Sequence, residues 1–169
     1  MNLYQLHSNP KLLNHHDEAH EKVPFLFWDI DDKLKKLKDF TPEQYRNILK
    51  SSKYSYFYAK DILKGRFQDG EKLIATNVSY ACSYACYVLN GPFPLGEKII
   101  ATSAYNSLYY AINALEGPFP LGEPAIATDA YFAYRYAMDV LRGRFELGEK
   151  IILASKNAYF YKVDILHQK

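Results

Sequence analysis

The chain has 169 residues, 49% of them apolar, which suffices for one domain with a sizeable core and argues against disorder. Its 21 basic and 19 acidic residues leave a net charge of +2, so no overall field selects nucleic acid or an anionic membrane, though a local basic patch fits that balance. Cys82 and Cys86 stand i,i+4, where a mutual disulfide is disfavoured, so nothing points to an oxidising compartment.

Met1 to His7 lacks a charged leader followed by a long apolar run, and no later stretch reaches about 18 apolar residues. Secretion and membrane spanning are disfavoured, and the expected location is cytoplasmic. The unusual bulk feature is aromatic, with 16 Tyr, 10 Phe and 1 Trp. Tyrosine buries a large ring while keeping a polar tip, which suits shallow repeat cores and contact surfaces alike.

Residues 1–50 read as an irregular segment followed by a helical cap. Asn9-Pro10 marks a turn, and a short helix is expected over Lys11 to Glu21. After Pro24, Phe27, Ile30, Leu34 and Leu37 recur at helical spacing and predict an amphipathic helix that closes one end of the molecule. Thr41, Pro42 and Gln44 form a helix-start signal, with Thr41 as N-cap and Pro42 at the first helical position, for a short helix running to about Lys50.

Residues 51–169 are repetitive. The loop Gly65-Arg66-Phe67-Gln68-Asp69-Gly70-Glu71 returns at Gly91, Gly117 and Gly143, each time 26 residues later. A constant period in this range signals stacked supersecondary units, none able to bury its apolar face alone. Full units run 51–76, 77–102, 103–128 and 129–154, and 155–169 is a partial fifth in which Tyr161 aligns once a residue is dropped. Each reads as a longer helix, a glycine that stops it, a loop around Phe67, Phe93, Phe119 or Phe145, and a short helix. Gly65, Gly91, Gly117 and Gly143 are the expected left-handed caps, with Pro92 and Pro118 forbidding continuation. Pro124 suits the first turn of its short helix. The predicted architecture is all-α, an elongated α-solenoid-like stack of helix-loop-helix repeats with an N-terminal helical cap.

Comparing the units separates scaffold from free positions. The eighth residue is always Tyr (58, 84, 110, 136), the ninth Ala (59, 85, 111, 137) and the thirteenth Leu (63, 89, 115, 141), while the fifth is Ser or Ala. At 100° per residue, positions five, eight, nine, twelve and thirteen share one arc, the expected buried face. Ile74, Ile100, Ile126 and Ile152 complete the core. Positions three, seven, ten and fourteen line the opposite face, where the units disagree. The first has Lys53, Phe57, Lys60 and Lys64, the second Ser79, Ser83, Cys86 and Asn90. The third has Tyr105, Tyr109, Ile112 and Glu116, the fourth Tyr131, Arg135, Met138 and Arg142. Tyr105, Tyr109, Ile112, Tyr131 and Met138, edged by Arg135 and Arg142, make the candidate partner-binding patch.

Other chemistry is thin. His16 and His20 stand i,i+4 beside Asp17 and Glu18, but in an order metalloproteases do not use, and a solvated helix is the simpler reading. Asp29, Asp31 and Asp32 alternate with lysines as on a solvated face. Cys82 and Cys86 read as small packing residues. No phosphate loop and no Ser, His and acid set is identifiable, so no catalytic residue, metal or cofactor is expected and the chain reads as non-enzymatic.

The unit carried by Tyr131 to Ile152 apart from Phe132, with Leu6 to Pro10 and Val23 to Trp28 at the start, resembles a family of Tyr-rich helical-repeat accessory proteins of tailed phages, most without an assigned function. The resemblance covers nearly the whole chain and implies a viral accessory protein that binds, and inhibits, a host or defence protein in the host cytoplasm. It carries no catalytic residue across. Ser79, Cys82, Ser83 and Cys86 depart from the family's aromatic or charged pattern. Three readings follow: a protein-binding module using Tyr105, Tyr109, Tyr131 and Arg135; a single-stranded nucleic-acid binder using Lys53, Lys60, Lys64, Arg135, Arg142 and exposed tyrosines; and sequestration of a small anion such as a nucleotide.

Overall fold

The computed structural model describes residues 42–167. The expected helices over Lys11 to Glu21 and Phe27 to Leu37, the Thr41 cap, His16, His20 and the Asp29 to Asp32 cluster lie outside the described residues. Within them the chain is all-α, with no strand. After α1 (Pro42–Ile48), long and short helices alternate. The long ones are α2 (Ser52–Phe57), α4 (Val78–Tyr84), α6 (Ala104–Tyr110) and α8 (Ala130–Arg135), and each runs directly into a wider π-helical segment: π1 (Tyr58–Leu63), π2 (Ala85–Leu89), π3 (Ala111–Leu115) and π4 (Tyr136–Leu141). The short ones are α3 (Gln68–Ile74), α5 (Pro94–Ile100), α7 (Glu123–Ile126) and α9 (Glu146–Leu153), and α10 (Ala158–Asp164) ends the series.

Local chemistry sets these boundaries. The side chain of Asn77 accepts from the backbone N–H groups of Ser79 and Tyr80, that of Ser103 from Asn106, and that of Asp129 from Tyr131 and Phe132, so three long helices begin on a satisfied cap. At the other end the π turn brings two N–H groups to one carbonyl. Ala59, Ala85, Ala111 and Ala137 each accept from the left-handed residue that follows the π segment and again from the glycine after it, the latter at 3.0, 3.2, 3.0 and 3.1 Å.

The left-handed residues are not the glycines expected. They are Lys64, Asn90, Glu116 and Arg142, with φ of 51°, 49°, 51° and 50°, and no glycine has positive φ. The reversal falls one residue earlier in all four units, whether proline follows the glycine, as at Gly91 and Gly117, or arginine, as at Gly65 and Gly143. A Cβ on these glycines would approach only a leucine carbonyl, at 3.7 to 3.9 Å; nothing in the structure explains glycine there. The second glycine of each loop is explained by packing. A Cβ on Gly122 would lie 2.4 Å from the Phe119 ring and 2.6 Å from Ser107, because each short helix is laid directly on the small fifth-position residue of its long helix.

Successive units are joined by one repeated device. The backbone N–H of Phe67 donates to the Tyr84 hydroxyl at 2.8 Å, and that hydroxyl donates to Glu71 at 3.1 Å. Phe93, Tyr110 and Glu97 repeat it at 2.8 and 2.9 Å, and Phe119, Tyr136 and Glu123 at 2.8 and 2.9 Å. Phe145 donates to Tyr161 at 3.2 Å. Thus Tyr84, Tyr110 and Tyr136, and Tyr161 in the partial fifth unit, each reach back into the preceding loop, and all four are fully buried beside Phe93, Ile74, Ile100, Ile126 and Ile152. Tyr58, the first of the series, is only half-buried. Each long helix packs on its own short helix, and α2 on α4, α4 on α6 and α6 on α8.

Two further expectations are corrected. Leu63, assigned to the core, is 44% exposed. Cys86, placed at an outward position of its helix though also read as a small packing residue, is buried.

Candidate aromatic contact surface

The outward face carries a connected tract of rings. It is rooted in α2, where the buried Tyr56 lies 5.1 Å from the half-buried Phe57 and Tyr80 of α4 packs 5.6 Å from Tyr56. The Lys60 ammonium sits 5.7 Å from the Tyr56 ring and 5.5 Å from that of Tyr87, a cation shared by two π faces. The hydroxyls of Tyr87 and Tyr109 share a hydrogen bond. Tyr109 stacks on Tyr105 at 5.9 Å and 22° between planes, as i,i+4 neighbours on α6 can. Tyr105 meets Phe132 of α8 edge-on at 6.1 Å, and Phe132 meets Tyr131 at 5.5 Å. The Arg135 guanidinium lies 6.0 Å from the Tyr131 ring, donates to its hydroxyl at 3.2 Å and pairs with Asp139. Rings from four units are therefore linked, with a cation against them near each end.

Exposure along the tract is graded. Tyr87 is 53% exposed, Tyr131 43% and Tyr105 36%, whereas Tyr109 is half-buried. Burial raises the Tyr105 and Tyr109 hydroxyls above the usual tyrosine range, so they remain neutral donors at ordinary pH. Beneath the tract, the hydrogen bond from Cys86 and then burial hold the Cys82 thiol far above the usual range. Both cysteines are free and buried, and a thiol held protonated, as that of Cys82 is, makes a poor nucleophile and a poor metal ligand.

Of the residues singled out from sequence, Tyr105, Tyr109, Tyr131 and Arg135 are brought together with Lys60. Ile112 and Met138 are half-buried, Ile112 packing against the core. Lys53 is half-buried; Lys64 and Arg142 are exposed at the left-handed helix ends, and among the described residues no ring contact joins these three to the tract. Tyr80, Tyr87 and Phe132 were missed. Tyr87 is in the eleventh position, i,i+4 from the seventh on the variable face, and that spacing is the signal that identifies it.

Elsewhere, an open depression of about 300 Å³ is lined by Arg66, Phe67, Gln68 and Asp69. Its charges are engaged: Arg66 pairs with Glu71 at 2.7 Å, and Asp69 accepts from the Tyr45 hydroxyl. Among the described residues no group of three or more His, Cys, Asp or Glu is placed to hold a metal ion, and no helix is long and apolar enough to cross a membrane. No family model matches the sequence, and no curated protein or solved structure is similar to it.

Proposed function

We propose that the units continue side by side as an open solenoid-like stack and that the chain is a non-enzymatic interaction protein, docking one protein partner on its outward aromatic tract. The observation that carries this is the tract itself, in which rings from four units form one partly exposed surface. Tyrosine supplies large contact area with only two side-chain torsions to immobilise, and buried Tyr and Arg commonly dominate protein contacts. Arg135 is already oriented by Asp139 and Tyr131, so little freedom remains to be lost when it is covered. In the viral setting implied by the sequence resemblance, the partner is a host or defence protein of the host cytoplasm and docking inhibits it by occlusion.

The test is affinity capture from that cytoplasm with the wild-type chain and with Tyr109→Ala combined with Arg135→Ala. The expected result is loss of the captured protein by a variant that keeps its helical circular dichroism; retention by the folded variant rejects this surface. A single-stranded nucleic-acid reading is supported by Lys60 over the rings and by Lys53 and Lys64, which form no ion pair among the described residues. It requires affinity that falls steeply with salt, and a flat response removes it.

A further inference from the structure

A glutamate closes every loop, as Glu71, Glu97, Glu123 and Glu149, but its partners differ from unit to unit. In the first unit both carboxylate oxygens are used: Glu71 Oε1 accepts from the Tyr84 hydroxyl at 3.1 Å and from Arg66 Nε at 2.7 Å, and Oε2 accepts from Arg66 Nη2 at 3.0 Å. In the fourth, Glu149 Oε2 accepts from Arg144 Nη2 at 2.8 Å and Nε at 3.3 Å. The second and third units carry Pro92 and Pro118 where these arginines stand. There Oε1 of Glu97 and of Glu123 accepts from its tyrosine, and among the described residues neither carboxylate has an ion partner.

Each of these two carboxylates is a positioned acceptor with one side open. A hydroxyl donor at 2.9 Å holds Oε1, so the group is oriented before anything else binds. Both glutamates are half-buried, and no side-chain oxygen buried among the described residues lacks a hydrogen bond, so Oε2 is reached by solvent. The arginines of units one and four show the direction of approach. Although ion-paired, the side chains of Arg66 and Arg144 are 59% and 60% exposed, so the guanidinium covers its carboxylate from the outside. Pro92 and Pro118 are exposed at the same register, with a ring that closes on its own nitrogen instead of reaching out.

We infer that Glu97 and Glu123 are binding sites for guanidinium groups, and that they take two arginine side chains of one protein segment, one in each unit. The chain displays the ligand chemistry itself, in Arg66 on Glu71 and Arg144 on Glu149. A planar fork matches the two carboxylate oxygens, whereas an ammonium offers only a point charge, so arginine is favoured over lysine. A single exposed pair is weak, and two on one segment reinforce each other because the second contact forms within the complex. The hydrogen-bond partners of Glu97 and Glu123 are core tyrosines, not residues of the aromatic tract, so this site is tested separately from that surface.

Carbon-detected NMR of the glutamate carboxylates in the full chain tests the proposal, with methylguanidinium as the probe and methylammonium at equal concentration as the control for ionic strength. The expected result is a saturable shift of the Glu97 and Glu123 signals with a dissociation constant on the order of 0.1 M, weaker with methylammonium, and no comparable shift at Glu71 and Glu149, which their own arginines hold. Pro92→Arg, which installs the residue units one and four already carry at that register, should abolish the Glu97 response and spare that of Glu123; Pro118→Arg should do the reverse. Equal responses to the two cations, or a folded Pro92→Arg chain in which Glu97 still responds, overturn the guanidinium site. Peptides carrying two arginines on glycine-serine linkers of increasing length should, at the best length, bind about tenfold or more tighter than a one-arginine peptide and lose that gain in Glu123→Gln. No gain at any length overturns the paired occupancy.

Discussion

Tyr110 does three things with one side chain: it fills the core beside Phe119, accepts the Phe93 N–H and donates to Glu97. Tyr110→Phe keeps the ring and strands a buried donor, so it should cost about 2 kcal/mol in denaturant unfolding, whereas Tyr131→Phe on the surface should cost far less. Burial, chiefly, pushes the Tyr84 hydroxyl up to about 12 from the ordinary tyrosine value of 10.0. A folded-state value above the unfolded one means stability that is fully present below about pH 10 and lost as pH rises toward about 12. Melting temperature should therefore fall across that window, and Tyr84→Phe should flatten the slope. The two loop glycines differ in the same residue-level terms. Gly122→Ala drives a methyl into Phe119 and Ser107 and should cost about 2 kcal/mol, while Gly117→Ala has room and should stay within about 0.5 kcal/mol.

At the scale of the element, the alternation of long and short helices was legible because glycine, proline and caps punctuate it. Asp129 is such a cap, and Asp129→Ala should lower stability by about 1 kcal/mol, read as a shifted urea midpoint at constant slope. The π segments were not legible: nothing in Ala-Cys-Tyr-Val-Leu distinguishes i→i+5 from i→i+4 bonding, and the choice rests on two N–H groups sharing the Ala85 carbonyl. Position six was left off the buried arc for a different reason, although Cys82 itself reads as a packing residue. Tyr56, Cys82 and Leu108 are buried, but the helical arc of a single unit does not include them. Their cover comes from the next unit, as when the Cys82 thiol donates to the Asn106 carbonyl at 3.5 Å. The candidate surface divides the same way. Tyr105 and Tyr109 were found from spacing within one helix, whereas Phe132 joins them only through contact between units.

Across residues 42–167, stability is expected to be shared between neighbouring units and to be lower at α10 than in the middle units. The N–H groups of Phe93 and Phe119 donate at 2.8 Å to hydroxyls that also donate to a carboxylate, while that of Phe145 reaches the equally buried Tyr161 at 3.2 Å on α10, where Tyr159 is 70% exposed. Amide hydrogen exchange should be slowest at Phe93 and Phe119 and measurably faster at Phe145; uniform rates would show one all-or-none opening. Because the junctions at Tyr84, Tyr110 and Tyr136 use the same trio of amide, phenol and carboxylate, they are interchangeable parts. Excising residues 77–102 brings the Phe67 amide and the Glu71 carboxylate to the phenol of Tyr110 with no altered side chain. Chain length and outward decoration can thus vary by whole modules, through duplication or loss within a gene, while the mould that casts each module stays the same.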